Sequence, residues 1–152
     1  MKLTKTATQA ALAMAFLAGQ PENQPTQARQ VAKHLQIPID SALKVLQTLS
    51  RQNLLVSRLG RHGGYVMPSA ADSITLLQVV EAIDGPIVVD MSFDESRSGA
   101  LASPRSTLES VCRRAVHGIR RELMRVTVAD LAPDPSLPHQ PVMATSAMLL
   151  SA

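Results

Sequence analysis

The chain has 152 residues, 15 Lys and Arg against 12 Asp and Glu for a net charge of +3, and a single cysteine. That length supports one sizeable core, and one cysteine excludes both a disulfide framework and any zinc site built on two or more thiolates of the same chain. With 45% hydrophobic, 18% charged and 2% aromatic residues, the chain is too apolar to be wholly disordered and too poor in rings for a base-stacking surface.

Residues 1–18, MKLTKTATQAALAMAFLA, have the outline of a secretory signal peptide: two lysines, an Ala-rich apolar run, then small residues. The rival reading is an amphipathic first helix. Thr6, Thr8 and Gln9 break the charged-to-apolar transition, while Leu3, Ala7, Ala10, Ala11, Met14 and Leu17 recur at helical spacing, which favours the helix.

Residues 26–53 read as two short helices. Thr26 is placed to cap the first, whose stripe is Ala28, Val31, Ala32 and Leu35. Gln36-Ile37-Pro38 turns the chain, with Pro38 at the first position of the second helix. There Ile39, Ala42, Val45, Leu46 and Leu49 form the face expected to be buried, and Asp40, Lys44, Gln47 and Arg51 the polar one, flanked by Ser41 and Thr48. Asn53 suits the left-handed backbone that ends a helix. The pattern is that of a helix-turn-helix whose outer face is rich in base-reading side chains; a helical hairpin with a merely solvated face is the alternative.

Leu54-Leu55-Val56 reads as a strand, Ser57 to Gly64 as a hairpin tip carrying Arg58, Arg61 and His62, and Tyr65-Val66-Met67 as the return strand. A helix-turn-helix followed at once by a basic hairpin is a winged helix. Arginines on such a wing suit a narrow minor groove. Charge is divided accordingly: residues 1–68 hold eight basic and two acidic side chains, +6, and residues 69–152 seven and ten, −3. A basic half of this kind suits a polyanion.

Residues 74–85, ITLLQVVEAIDG, carry a capping box in Thr75 and Gln78, a hydrophobic staple in Ile74 and Val79, and a stop at Gly85. Pro86 to Pro104 is polar and Ser-rich, a loop. A long helix over about 105–125 follows, with Leu108, Val111, Cys112, Ala115, Ile119 and Leu123 as a continuous stripe and Arg113, Arg114, Arg120 and Arg121 outside it. A long helix with one apolar face at the end of a small domain is a dimerisation element. Thr127 and Asp130 cap a further short helix. The tail carries Pro133, Pro135, Pro138 and Pro141 and is expected to be extended or disordered. Its last stretch, VMATSAMLLSA, like every other apolar run, is shorter than the roughly 18 residues of a membrane span.

In MKLTK, the helix-turn-helix, the wing GRHGGYVMP, ITLLQVVEAIDG and VTVADL, residues 1–131 resemble bacterial transcription regulators of the Rrf-two family, also called BadM-type. The resemblance speaks against a signal peptide. It implies a cytoplasmic, homodimeric, DNA-binding winged-helix protein that is not an enzyme, probing a pseudo-palindromic operator, most simply as a repressor. The expected architecture is mainly α with a small β-hairpin wing. A winged helix-turn-helix spans 1–85, a loop 86–104, a dimerisation helix with a short capped helix 105–132, and a Pro-rich tail 133–152.

Many members of that family hold an iron–sulfur cluster on cysteines around the start of the long helix. Here Pro86 to Glu109 has no cysteine: Ser106 stands at the matched third position, with the upstream ones near Asp94 and Ala100, while Glu109 and Thr8 lie near where further ligands fall. No cofactor is therefore expected. Cys112 is either a small buried hydrophobe on the dimer stripe or a redox switch aided by Arg113 and Arg114.

The expected DNA contacts are Lys2, Lys5, Thr26 and Arg29 on phosphates, and Asp40, Ser41, Lys44 and Gln47 on base edges in the major groove. Arg58, Arg61 and His62 on the wing approach the minor groove. Leu43 lies off the buried stripe, where it either meets a thymine methyl or packs at the helix edge. Partners are thus double-stranded DNA, a second copy, and an effector of unknown chemistry, with no membrane. Two other readings exist. One is a winged-helix module that binds protein rather than DNA. The other is a Cys112–His117 enzyme, which the five-residue spacing on one helix opposes.

Overall fold

The computed structural model describes residues 3–68, 70–89 and 102–132. Lys2, the middle of the expected loop and the Pro-rich tail lie outside them. Thr4 caps the first helix, α1 (Lys5–Ala18), its hydroxyl accepting from the Ala7 N–H at 3.0 Å. Ala7, Ala10, Ala13, Met14 and Leu17 are buried, and α1 packs against most of the other helices introduced below. Leu3, expected on this stripe, is 38% exposed because it precedes the first turn.

Helix α2 (Ala28–Leu35) ends on Gln36, whose φ of 53° is left-handed, and α3 (Ile39–Arg51) follows after Pro38. Three expectations are corrected here. Pro38 is the cap rather than the first helical residue. Gln27, not Thr26, caps α2, its N–H donating to Gln30 Oε1 at 2.8 Å. Ile39, assigned to the buried face of α3, is 43% exposed, because the first turn of α3 projects past the core that Ala42, Val45, Leu46 and Leu49 fill. Asn53, with φ 58°, turns the chain after α3 as expected.

The first wing strand begins two residues later than its apolar run suggested and the second one residue earlier, so Ser57, Arg58 and Gly64 leave the expected tip for the ladder and Met67 falls outside it. Strands β1 (Val56–Arg58) and β2 (Gly64–Val66) pair antiparallel, with Val56 opposite Val66 and Arg58 opposite Gly64. Leu54 and Leu55 precede the ladder and serve the core instead, Leu55 being 2% exposed. A 3-10 turn (Ala71–Ser73) leads to α4 (Leu76–Asp84), where Thr75 and Gln78 form the expected capping box and Ile74 and Val79 both join the core. Gly85, at φ 83°, ends it.

Helix α5 (Ala102–Arg125) starts earlier than residue 105 and takes in Pro104. Proline is tolerated there because a first-turn N–H has no intrahelical acceptor. The chain then returns to the core. Leu76 N–H donates to Val126 O and Val128 N–H to Ile74 O, both at 2.8 Å, and α6 (Val128–Leu131) buries Val128 completely. The N–H and hydroxyl of Thr127 bond Asp130 Oδ2 at 2.7 and 2.8 Å and hold that carboxyl below the usual range. Glu81 ties α5 to α4: its carboxylate pairs with Arg120 and accepts the Ile87 N–H at 2.8 Å, while Arg120 also donates to Ile87 O. Arg120 is therefore a strut between elements and not a solvated charge.

The core joins α1 to α4 and α6 through aliphatic side chains, Met14, Leu46, Leu49 and Leu55 being the largest. Leu46 has no exposed surface. Leu46→Ala is expected to cost about 2–5 kcal/mol, a large part of the roughly 5–15 kcal/mol that holds such a domain. Urea unfolding checks this as a lower midpoint at unchanged slope. Among the described residues no helix is long and apolar enough to cross a membrane.

Candidate nucleic-acid interface

A helix can read duplex DNA only if one face is free of the core and carries hydrogen-bonding side chains. On α3, Asp40, Lys44, Gln47 and Arg51 are exposed on one side, opposite the buried Ala42, Val45, Leu46 and Leu49. Ser41 is half-buried at the edge, and Thr48 returns its hydroxyl to Lys44 O at 2.9 Å.

The N-terminus of α2 is the junction of this surface. Arg29, in its first turn, borders two shallow hollows. One is lined by Gln27, Ala28, Arg29, Ile39 and Leu43, where α2 meets the start of α3. The other is lined by Gln24, Pro25, Gln27, Arg29, Gln30 and His62, where α2 meets the wing tip. The fold thus brings Arg29 together with His62 and with the first turn of α3. Arg58, Arg61 and His62 are all exposed on the wing, and Leu59 between the arginines is 98% exposed.

One expected phosphate contact, Thr26, is buried. Thr26 is only 4% exposed; its N–H donates to Tyr65 O at 3.0 Å and its carbonyl accepts the Tyr65 N–H at 2.9 Å. It is the tie between the wing and α2, and its side chain is not available to a phosphate. Lys5 is exposed in the first turn of α1, beside Thr4, whose hydroxyl donates to Asp84 at the far end of α4. Ile39, expected on the buried face, instead lines the hollow where α2 meets the start of α3. Its position at the first turn of α3 was the available signal, since the opening residue of a helix need not lie over the core that later turns cover.

On α5 the expected stripe divides. Leu108 and Val111 are 50% and 47% exposed and Ala115 is exposed, whereas Cys112, Ile119 and Leu123 are half-buried. Arg113 pairs with Glu109, holding that carboxyl below its ordinary range, and Arg125 pairs with Glu122 at 2.9 Å.

The donor set does not fit a cysteine-held iron–sulfur cluster. Such clusters need several thiolates; the chain has Cys112 alone, half-buried on α5. Among the described residues no three His, Cys, Asp or Glu side chains gather in metal-binding geometry.

Residues 3–134 match the family model Rrf2, described as iron-dependent transcriptional regulator. The Synechocystis protein slr0846, assigned as an HTH-type transcriptional regulator, is 31% identical over 131 residues, 86% of this chain and 87% of that protein. The HTH-type transcriptional regulator NsrR of Oceanobacillus iheyensis is 24% identical over 86% of this chain and 89% of its own. In fold, the chain resembles CymR, the global cysteine regulator of B. subtilis, with TM-score 0.70 and 22% identity over 87% of this chain and 96% of CymR. It also resembles T. potens IscR, with TM-score 0.63 and 20% identity over 86% and 85%. This winged-helix chain, matched over nearly its whole described length, belongs to the Rrf2 family of transcriptional regulators, DNA-binding proteins and not enzymes.

Proposed function

We propose that the chain is a sequence-specific repressor that acts as a homodimer on a pseudo-palindromic operator, in the cytoplasm where bacterial DNA lies. The observation that carries this reading is the exposed polar face of α3 beside Arg29 and the wing. Residues 1–85 bind DNA, and the exposed apolar patch of Leu108, Val111 and Ala115 on α5 receives a second copy. Arg29 and the α2 amides take phosphates, because helix N-termini favour anions. Asp40, Ser41, Lys44 and Gln47 take base edges: Lys44 suits guanine acceptors, Gln47 adenine, and Asp40 a cytosine amino group. Arg58, Arg61 and His62 follow the minor groove. Repression follows if the bound dimer covers a promoter. No step is assigned to iron.

The test separates positioning from reading. Arg29→Ala is expected to weaken specific and random duplexes alike and to reduce the salt slope by about 1. Lys44→Ala is expected to relax preference at one base pair per half-site, by about 1–3 kcal/mol, or roughly 5- to 150-fold. Anisotropy titrations at several salt concentrations measure both. Equal losses on specific and random DNA for both variants would show that α3 is not the reading helix.

A further inference from the structure

The outer face of α3 is not wholly polar. Ile39 and Leu43 stand one turn apart along its edge nearest α2; Ile39 is 43% exposed and Leu43 half-exposed, and neither belongs to the core cluster. They share a hollow with Gln27, Ala28 and Arg29. An isoleucine this exposed at the start of a helix gains nothing from water and lies outside the core cluster.

The neighbours of this pair indicate what fits it. On one side is the N-terminus of α2 with Arg29, the phosphate anchor of the proposed function. On the other are Asp40, Lys44 and Gln47, its base readers. Between a strand's phosphates and the hydrogen-bonding edge of its bases, the major groove presents one apolar group, the 5-methyl of thymine. That methyl stands on the side of the pyrimidine nearest its own backbone. The N-terminal turn of a recognition helix is also the part that reaches base edges.

We propose that Ile39 and Leu43 form an apolar contact for a pyrimidine 5-methyl group, so that each operator half-site carries a thymine on the strand whose phosphate Arg29 holds. This rests on the reading of α3 as the recognition helix and deepens it: the specificity includes a methyl contact that no hydrogen-bonding side chain supplies.

The test needs no operator in advance. The full chain selects duplexes from a random-sequence library, and the enriched duplex is resynthesised with deoxyuridine in place of each thymine in turn. Deoxyuridine pairs identically and lacks only the methyl. At one position in each half-site the change is expected to weaken binding about three- to fivefold, the effect of burying one methyl-sized group, and 5-methylcytosine in place of cytosine there restores the contact in a cytosine-bearing duplex. Ile39→Ser and Leu43→Ser are expected to remove that sensitivity while other positions stay discriminated. Equal affinity for every deoxyuridine duplex overturns the inference, whatever the variants do. Failure to enrich any sequence overturns the sequence-reading function itself, and this inference with it.

Discussion

Gly64→Ala is expected to lower DNA affinity by about ten- to a hundredfold and to destabilise the fold by roughly 1–3 kcal/mol, the usual cost of forcing atoms into a filled site. The cause is contact with backbone. A Cβ on Gly64 would lie 2.5 Å from Thr26 O and 2.7 Å from Thr26 C, closer than real Cβ atoms approach. Thr26 cannot rotate away like a side chain, because it is buried and bonded through both N–H and carbonyl to Tyr65. Relief requires the base of the wing to part from the segment entering α2. That displacement moves Arg58, Arg61 and His62 relative to Arg29, so phosphate and minor-groove contacts lose their common register. Gly60→Ala is the control: its Cβ meets nothing within 4 Å, and only the left-handed φ of 107° is strained. That strain costs about 1–2 kcal/mol at the wing tip without loosening the wing base. Thermal unfolding and anisotropy titration of both variants distinguish the two. A Gly64→Ala protein that binds DNA like the parent would show that the wing base need not be fixed for binding.

The same tie explains what could and could not be read from sequence. Thr75 with Gln78 and Thr127 with Asp130 were legible because a capping box is closed within four residues, and the structure bonds both. Thr26 was misassigned because its partner, Tyr65, lies far along the chain. A locally plausible N-cap yielded to a non-local bridge, and Gln27 took the cap. Leu54 and Leu55 were read as strand because an apolar run marks burial, not pairing; they pack, and the ladder starts at Val56. Ile39 followed the correct helical period, but periodicity does not say where the core stops. Of the candidate site, the polar face of α3 and the basic wing were legible, and both are exposed. The hollows that join these to Arg29 arise from the crossing of α2, α3 and the wing, which no local pattern encodes.

The second large effect concerns the long helix. Changing Leu108 and Val111 together to glutamate is expected to convert the proposed dimer to a monomer and to lower affinity for a two-half-site duplex by at least about a hundredfold. In a two-fold interface each substitution occurs twice near the axis, so four carboxylates would enter an apolar contact, offset only by Arg105 and Arg114 one turn away on the same helix. An unpaired buried carboxylate costs several kcal/mol, and every ~1.4 kcal/mol is tenfold in the dissociation constant. The subunit itself should keep its helical content, since both side chains are about half-exposed in the single chain, at 50% and 47%, and α5 is held to α4 by Glu81 and Arg120 from another side. Arg113→Ala is the matched control. It breaks only the exposed pair with Glu109, and such pairs contribute about 0–1 kcal/mol, so mass and affinity should stay near those of the parent. Sedimentation velocity reads the assembly and anisotropy the DNA. If the glutamate variant remains a dimer with unchanged affinity, the copies meet elsewhere than on this face of α5. If it is monomeric yet binds the two-half-site duplex as tightly as before, each subunit reads its half-site independently, and the pseudo-palindrome is not the unit of recognition.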